Sequence, residues 1–282
     1  MLHDEIESAI VHSQDLLFLR SGSREFRPRD VLGIRQNLIV VRAGDSSLHR
    51  QWLSKTTQRN FDILISYDGS DSCIYKDEAD YYEEAPGLKW ANLSRLFMKN
   101  RELLLSYDAC WFPDDDLSIG AQTISRMFDM FHCYNLWLAQ PALSAESRIT
   151  HPVTRAKPNS RLRYTDFVEI VCPIFNRVSL AALGPTFADS ASGYALDFLW
   201  PYLLGYPKDR IGILDEVAVV RLASAEGDSF FARCVSFGVN PSVEADQIVK
   251  RYGLNPKFRT SEYMTIPLTN AFSNNTIVRD GT

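Results

Sequence analysis

Three consecutive aspartates, Asp114, Asp115 and Asp116, follow an apolar run at residues 109–112 and a proline. Adjacent carboxylates repel one another, and aspartate is a poor former of both helix and strand. In an extended segment Asp114 and Asp116 would point to one side and Asp115 to the other. Two carboxylates on one side are hard oxygen ligands for Mg²⁺ or Mn²⁺, with room for a substrate phosphate.

A helix N-terminus is the alternative explanation of this triplet. Aspartates cap helices and are favoured at the positive end of the helix dipole. Residues 117–131 have the apolar pattern of a helix, which would begin directly after the triplet. The triplet alone does not separate a metal site from a helix cap, because short motifs carry false positives.

The elements that lead to the triplet alternate between strand and helix. The pattern predicts them, in turn, at residues 37–44, 46–54, 61–67, 89–100 and 109–112. This alternation predicts an α/β fold with a mainly parallel central sheet and helices on both faces. Such sheets bind ligands at the carboxyl ends of their strands, where Arg42, Asp68 and the triplet stand. The G-x-G-x-x-G and P-loop fingerprints are absent from the sequence.

The remaining sequence has a less regular pattern. We expect an N-terminal helix at 4–20, a long basic loop at 144–163, a strand at 166–175 interrupted by Pro173, two short strands within 211–221, and helices at 118–131, 177–183, 195–203 and 242–252. A basic loop of that length is typical of a functional segment.

Composition limits the classes of protein to consider. The chain has 282 residues, a net charge of −5 and 45% hydrophobic residues, which is typical of a globular protein. The negative charge argues against nucleic acid as a partner, because phosphate binding needs a basic surface. No apolar stretch approaches the length of a membrane span, and the acidic N-terminus does not resemble a signal peptide. The five scattered cysteines indicate reduced thiols and a cytoplasmic location, not a zinc site.

Seven short segments between residues 60 and 221 carry a resemblance to a known class of enzymes. They are residues 66–69, 88–90, 107–117, 140–143, 167–169 with 173–175, 193–197 and 212–215. The triplet after a strand in the middle of an α/β half, followed by a less regular half, resembles the GT-A class of nucleotide-sugar glycosyltransferases. The seven segments, in this order, are similar to an uncharacterised family of plant and bacterial proteins placed near those enzymes.

The resemblance implies a GT-A-like fold and a division of the chain. It implies an N-terminal helical extension (residues 1–35), a glycosyltransferase domain (36–222) and a C-terminal extension (223–282). Within the domain, residues 36–117 would form the nucleotide half and residues 118–222 the acceptor half.

The resemblance also assigns the metal. Asp114 and Asp116 would hold Mn²⁺ or Mg²⁺ against the donor diphosphate, with Asp116 the more direct ligand. A divalent cation would offset the negative charge that the diphosphate gains as it leaves.

Two carboxylates compete for the role of catalytic base. Asp197 matches the position where inverting GT-A enzymes carry the base that takes the proton of the acceptor hydroxyl. Its alternative is a polar residue in the first turn of a helix. Glu169 lies in an otherwise apolar stretch, where an unpaired carboxylate is costly. It therefore has either a structural partner or a role at the acceptor sugar.

The remaining candidates belong to the donor and to the basic loop. The resemblance places Asp68 at the nucleobase or ribose and Lys89 at a phosphate, with Arg42, Ala43 and Asp115 beside the nucleotide sugar. The alternatives are a turn pair for Asp68 with Gly69 and a solvated helix residue for Lys89. His151 and Arg155 would clamp a diphosphate or an acidic acceptor, or else belong to a solvated loop.

Arg221 departs from the family pattern. Related sequences tend to have a histidine near this position, and many GT-A enzymes use it as a metal ligand. Arginine has no lone pair to offer and stays protonated. Either the metal is held by aspartates, phosphate and water alone, or Arg221 binds the diphosphate bidentately and takes over part of the metal's role.

Together these inferences predict an inverting, metal-assisted glycosyltransferase. It would move a sugar from a nucleotide-diphosphate donor to a glycan or lipid-linked acceptor, with peripheral membrane contact compatible with the tail after residue 222. A catalytically inactive nucleotide- or carbohydrate-binding protein is one alternative, favoured by Arg221. A metal-dependent nucleotidyltransferase is another, for which Asp215 and Glu216 are the only further acidic ligands to nominate.

Overall fold

The computed structural model describes residues 35–53, 59–71, 74–222 and 230–268, so the helix expected at residues 4–20 lies outside the described residues. The described strands are Asn37–Ala43 (β1), Phe61–Tyr67 (β2), Tyr81–Glu84 (β3), Ala109–Trp111 (β4), Leu117–Ser118 (β5), Leu138–Leu143 (β6), Ser160–Thr165 (β7), Ile174–Asn176 (β8), Ile211–Arg221 (β9) and Glu262–Pro267 (β10). The described helices are His49–Trp52 (α1), Lys89–Lys99 (α2), Arg101–Leu105 (α3), Ala121–Cys133 (α4), Arg177–Leu183 (α5), Leu196–Leu203 (α6), Phe230–Ser236 (α7) and Pro241–Tyr252 (α8).

One mixed sheet runs through the molecule. Its strand order is β10-β7-β9-β6-β8-β4-β1-β2-β3, and β5 pairs with β9 beside this path. Strands β4, β1, β2 and β3 are mutually parallel, whereas β8 is antiparallel to both β4 and β6. The predicted α/β fold is thereby confirmed. The carboxyl ends of β1, β2 and β4 lie along one edge of the sheet, where such folds bind ligands.

The sheet is covered on both faces. In β1, Ile39 and Val41 belong to one hydrophobic core, while Leu38 and Val40 belong to the other. Helix α4 covers the first core and helices α2 and α6 cover the second. Burial on both faces explains why the strand is a continuous apolar run instead of an alternating one.

The triplet does not cap a helix. Helix α4 begins at Ala121 with Gly120 as its N-cap, and β5 lies between the triplet and that helix. The expectation of a helix from residue 117 or 118 was therefore wrong. The aspartates stand in the connection from β4 to β5, where the dipole of α4 does not explain them.

Other expectations also need correction. Helix α1 is shorter than the one expected at residues 46–54, and the strand expected at 166–175 is limited to β8. The basic loop expected at 144–163 ends in β7. The two short runs expected within 211–221 form one strand, β9, with an irregular register against β6.

The C-terminal part packs onto the same sheet. Strand β10 pairs antiparallel with β7, and Ala245 and Ile248 of α8 lie in the second core. No helix in the described ranges is long and apolar enough to cross a bilayer. The division of the chain into domains stays a prediction.

Candidate functional site

The triplet lies just after β4, at the carboxyl edge of the parallel strands. Asp114 accepts a hydrogen bond from Lys89 Nζ on Oδ1 (2.7 Å) and one from Arg221 Nη2 on Oδ2 (3.1 Å). Asp116 accepts from Arg221 Nε on Oδ2 (3.3 Å). Arg221 therefore bridges the two outer aspartates, which face the same side.

Asp115 faces the other way. Its Oδ2 accepts a hydrogen bond from the backbone N–H of Gly44 (2.8 Å), and its carbonyl accepts from Leu48 N (2.8 Å). Burial raises the pKa of Asp115, and the Gly44 hydrogen bond opposes that rise. Asp115 thus connects the turn after β1 to the end of β4.

Strand pairing brings Arg221 to this place. Leu117 of β5 lies opposite Arg221 at the end of β9, and Leu222 N donates to Asp116 O (3.1 Å). Arg221 N donates to Ser147 Oγ (2.9 Å). Burial lowers the pKa of the Arg221 guanidinium, but Asp114 and Asp116 more than offset this, and the net shift is upward. The residue is a fixed cation.

Lys89, at the first position of α2, connects several segments in the same region. Besides Asp114, its Nζ lies within hydrogen-bond distance of the carbonyl oxygens of Phe112 (2.9 Å), Ile170 (3.1 Å) and Val171 (3.1 Å). An ammonium group has three donors, so these protein acceptors satisfy it. Lys89 ties the end of β4 to the segment before β8.

The segment before β8 places Glu169 near the triplet. After Thr165 the chain turns, and residues 169–173 run beside the end of β4 as an irregular continuation of the β4–β8 pairing. The backbone hydrogen bonds that hold them are Phe112 N to Pro173 O (2.9 Å) and Asp114 N to Val171 O (2.7 Å). Glu169 N also donates to Gln140 Oε1 (2.6 Å).

Glu169 is a buried carboxyl group with a free oxygen. Its side chain is 3% exposed, and Oε2 has no hydrogen-bond partner within the described part of the chain. Burial raises its pKa to about 7; Arg221 opposes the rise and Asp114 adds to it. A carboxyl group with this pKa is suited to exchanging a proton near neutral pH.

Asp197 is a second buried carboxyl group near Glu169. It stands in the first turn of α6, and its Oδ1 accepts from Phe198 N (3.1 Å). Burial raises its pKa well above the usual value, and the neighbouring charge of Glu169 adds to the rise. The turn before α6 is tight: Gly193 has φ +83°, and a Cβ there would lie 2.0 Å from Trp90 Cδ1.

The candidates for the nucleotide lie at the ends of β1 and β2. Arg42 is buried and donates to Ser66 Oγ (2.8 Å) and Gly87 O (3.0 Å), and it pairs with Asp68 (3.3 Å). Burial lowers the pKa of Arg42. Ala43 is fully buried, and its carbonyl accepts from Asp68 N (2.8 Å). These four groups form one network beside Gly87, on the far side of β1 from β4.

His151 and Arg155 do not act as a pair. His151 is half-buried against Phe167 (ring centroids 4.6 Å apart) and Phe198 (6.0 Å), and burial lowers its pKa. Arg155 is exposed, and its carbonyl accepts from Arg163 Nη2 (2.7 Å). His151 is thus part of an aromatic cluster beside the Glu169 segment.

As these residues stand, they do not fit a divalent cation. Three of the four carboxylate oxygens of Asp114 and Asp116 are held by Lys89 or Arg221, and only Asp116 Oδ1 is buried without a partner among the described residues. Within the same residues, no group of three or more His, Cys, Asp or Glu side chains is placed to hold a metal ion. A guanidinium group between two aspartates also repels a cation that would enter there.

No protein-family model and no curated protein sequence matches the chain. Among solved structures it is similar to S. aureus TarS. The crystal structure of TarS 1-349 in complex with UDP-GlcNAc gives a TM-score of 0.45 and 13% identity, covering 69% of this chain and 60% of that chain. A crystal structure of TarS gives a TM-score of 0.44 and 14% identity, covering 77% of this chain and 42% of that chain. The chain thus spans less than two thirds of these TarS chains.

Asp215 and Glu216, the further metal ligands expected for a nucleotidyltransferase, are both paired with basic residues. Asp215 pairs with Arg163, and both side chains are fully buried. Glu216 pairs with Arg126 (2.8 Å) and Arg161 (2.6 Å). Neither adds a free carboxylate to the triplet, which argues against two-metal chemistry.

Sequence reasoning missed Arg233. This residue of α7 donates to Asp68 Oδ2 (2.6 Å) and so connects the C-terminal part to the network at the end of β2. The two residues are 165 positions apart, and the segment around Arg233 has no motif that indicates a partner.

Proposed function

We propose that this protein is an inverting glycosyltransferase, which moves a sugar from a nucleotide-diphosphate donor to a hydroxyl group of a glycan or lipid-linked acceptor. The observation that carries the proposal is the unpartnered Oε2 of Glu169, on a buried carboxyl group with a pKa of about 7, next to the triplet and Arg221. This combination lies at the carboxyl edge of the parallel strands, where α/β folds bind their ligands.

Glu169 is the base in this proposal. It takes the proton of the acceptor hydroxyl while that oxygen forms a bond to the anomeric carbon. The bond from the anomeric carbon to the diphosphate oxygen breaks in the same step, and its electron pair leaves with the diphosphate. A single displacement of this kind inverts the anomeric configuration.

Asp197 has a positioning role. Among side chains, Glu169 supplies the neighbouring charge that raises the pKa of Asp197, so the two carboxyl groups are neighbours. A neutral Asp197 spares the ionised base a second negative charge at close range. The resemblance places the base at Asp197, whereas in this proposal the base is Glu169.

The test is the turnover of the Glu169→Gln variant with a panel of UDP-, GDP- and CDP-sugars. Loss of the base should lower kcat by about 10²- to 10⁴-fold. Nucleotide affinity measured by calorimetry should stay the same, because the carboxyl group acts on the acceptor. The rate of the wild-type protein should rise with pH and level off above about pH 7, since the base must be ionised.

Two variants serve as controls for this test. Glu146→Gln makes the same chemical change on an exposed side chain and should leave turnover unchanged. If Asp197→Asn abolishes turnover and Glu169→Gln does not, then Glu169 is not the base.

A protein that binds nucleotides without turnover is the second candidate. The observation that favours it is Arg221, which stands between the two aspartates that would otherwise hold a metal. Nucleotide binding without transfer or donor hydrolysis, for every sugar nucleotide of the panel, would support this candidate over the enzyme.

A further inference from the structure

Arg221 stands near the position where sequences of the family that the chain resembles tend to have a histidine, and backbone contacts hold it there. The β5–β9 pairing sets Leu117 opposite Arg221, and Ser147 Oγ accepts from its backbone N–H. The side chain is 22% exposed, so the guanidinium borders the site without being sealed off from a ligand.

The charges around Arg221 form a compact arrangement. Asp114 and Asp116 each accept from the guanidinium, and Asp114 also accepts from Lys89. Burial and the charge of Asp114 raise the pKa of Asp116 to about 6, with Arg221 opposing the rise. The two aspartates thus orient a permanent cation, and their contacts with Arg221 involve only part of its donors.

A phosphate group suits this cation. A guanidinium presents parallel N–H donors that match two phosphate oxygens, and its charge does not depend on a bound ion. A divalent cation would have to displace Arg221 from both aspartates before it could bind them, at the cost of leaving a half-buried guanidinium without these two partners.

We propose that Arg221 supplies the positive charge that stabilises the leaving diphosphate, so that donor binding and transfer need no divalent cation. The inference rests on the proposed function and concerns the same site. As the bond from the anomeric carbon to the diphosphate breaks, the guanidinium meets the charge that develops on the phosphate oxygens. Asp114 and Asp116 orient Arg221 instead of a metal.

Calorimetry tests this inference. The intact protein, treated with EDTA, is titrated with UDP, GDP and CDP, and the titrations are repeated with Mn²⁺ and with Mg²⁺. The nucleotide that binds should have the same affinity, within about twofold, with and without metal. In EDTA, Arg221→Ala should weaken that affinity by about tenfold or more, because a hydrogen bond to a charged group is lost.

Two further variants sharpen the test. Arg177→Ala removes an arginine of similar exposure (29%) that pairs with Asp108 at the opposite end of β4, and it should leave the affinity unchanged. Arg221→His would place a metal-binding imidazole beside Asp114 and Asp116. Nucleotide binding by that variant should be weak in EDTA and should recover when Mn²⁺ is added.

The outcomes separate the two proposals. If wild-type affinity falls more than about tenfold in EDTA and returns with Mn²⁺, the inference about Arg221 is overturned and the proposed function stands. If no nucleotide binds with or without metal, the proposed function fails and the inference fails with it. The wild-type comparison decides even if Arg221→Ala does not fold.

Discussion

At the residue scale, Arg163 of β7 and Asp215 of β9 form a buried ion pair that connects the two strands. Arg163 Nε and Nη2 donate to the two oxygens of Asp215 (2.8 and 2.9 Å), and Ser160 Oγ donates to Asp215 Oδ2 (2.6 Å). Both side chains of the pair are fully buried. Removing Asp215 would leave the buried Arg163 guanidinium with Glu262 (3.1 Å) as its remaining carboxylate partner, which costs far more than the pair itself contributes.

Asp215→Asn should therefore lower the free energy of unfolding by about 3–5 kcal/mol, as measured by urea denaturation. Asp209→Asn, a change in an exposed ion pair with Arg210, should alter it by less than about 0.5 kcal/mol. If Asp215→Asn instead kept full stability and lost metal-dependent activity, Asp215 would be a ligand, as a nucleotidyltransferase requires.

The site itself combines four carboxyl groups with two cations. Lys89, Arg221 or both oppose the raised pKa values of Asp115, Asp116 and Glu169, and both cations pair with Asp114. The buried oxygens that remain without partners among the described residues, Asp116 Oδ1 and Glu169 Oε2, are the ones a ligand would satisfy. An incompletely paired cluster is costly in a free protein, so it points to a role in binding.

At the scale of elements, helix α8 holds the turn that leads into α6. The carboxylate of Glu244 accepts from Ser190 Oγ (2.9 Å), Ala191 N (2.8 Å) and Ser192 N (3.1 Å). This turn precedes Ala195, which has φ +72° and therefore a strained backbone. The C-terminal helix thus fixes the start of α6, where Asp197 lies.

Glu244→Ala should lower the free energy of unfolding by about 1.5–3 kcal/mol, because hydrogen bonds to a charged group are lost. It should also reduce kcat, since Asp197 loses its support, while nucleotide affinity stays the same. Asp246→Ala, on the exposed face of the same helix, should change neither property. Equal effects of the two variants would show that the turn does not depend on Glu244.

The sequence predicts best those helices and strands whose bounds are decided by neighbouring residues in the chain. The bounds of α5 and β2 were predicted as they are observed, because a helical period and a short, mainly apolar run decide them. Strand β7 was missed because it contains Arg163. This arginine can be buried in a strand because it pairs with Asp215, which is 52 positions away in the sequence. No pattern within a strand reveals such a partner.

The same limit applies to the site. The triplet, Glu169 and Arg221 were all named from the sequence, since their types and positions indicate chemistry. That Arg221 lies between Asp114 and Asp116 depends on the β5–β9 pairing, which joins residues more than a hundred positions apart. The choice of Glu169 over Asp197 as the proposed base depends on the unpartnered oxygen of Glu169 and on its neighbours Arg221 and Asp114, which only the packed structure shows.

At the scale of the whole molecule, the buried carboxyl groups of the site oppose folding as pH rises. The pKa of Glu169 is about 7 in the folded chain, against an ordinary value of 4.5, and the pKa of Asp197 is also raised. Between these values the unfolded chain has lost the proton of Glu169 while the folded chain keeps it. The folded state binds more protons in this window, so its stability falls with increasing pH.

This contribution can be isolated with Glu169→Gln, which removes the proton equilibrium and keeps the shape of the side chain. The stability of the variant relative to wild type should rise by about 2 kcal/mol between pH 5 and pH 8, as measured by urea denaturation at each pH. Glu146→Gln, on an exposed side chain, should show no such trend. The groups that act on Glu169 include Arg221, Asp114, Thr150, Lys89 and Asp197, and none of them is altered in either variant. A relative stability that stays constant with pH would mean that Glu169 is ionised in the folded chain throughout, and the proposed base would then lack its raised pKa.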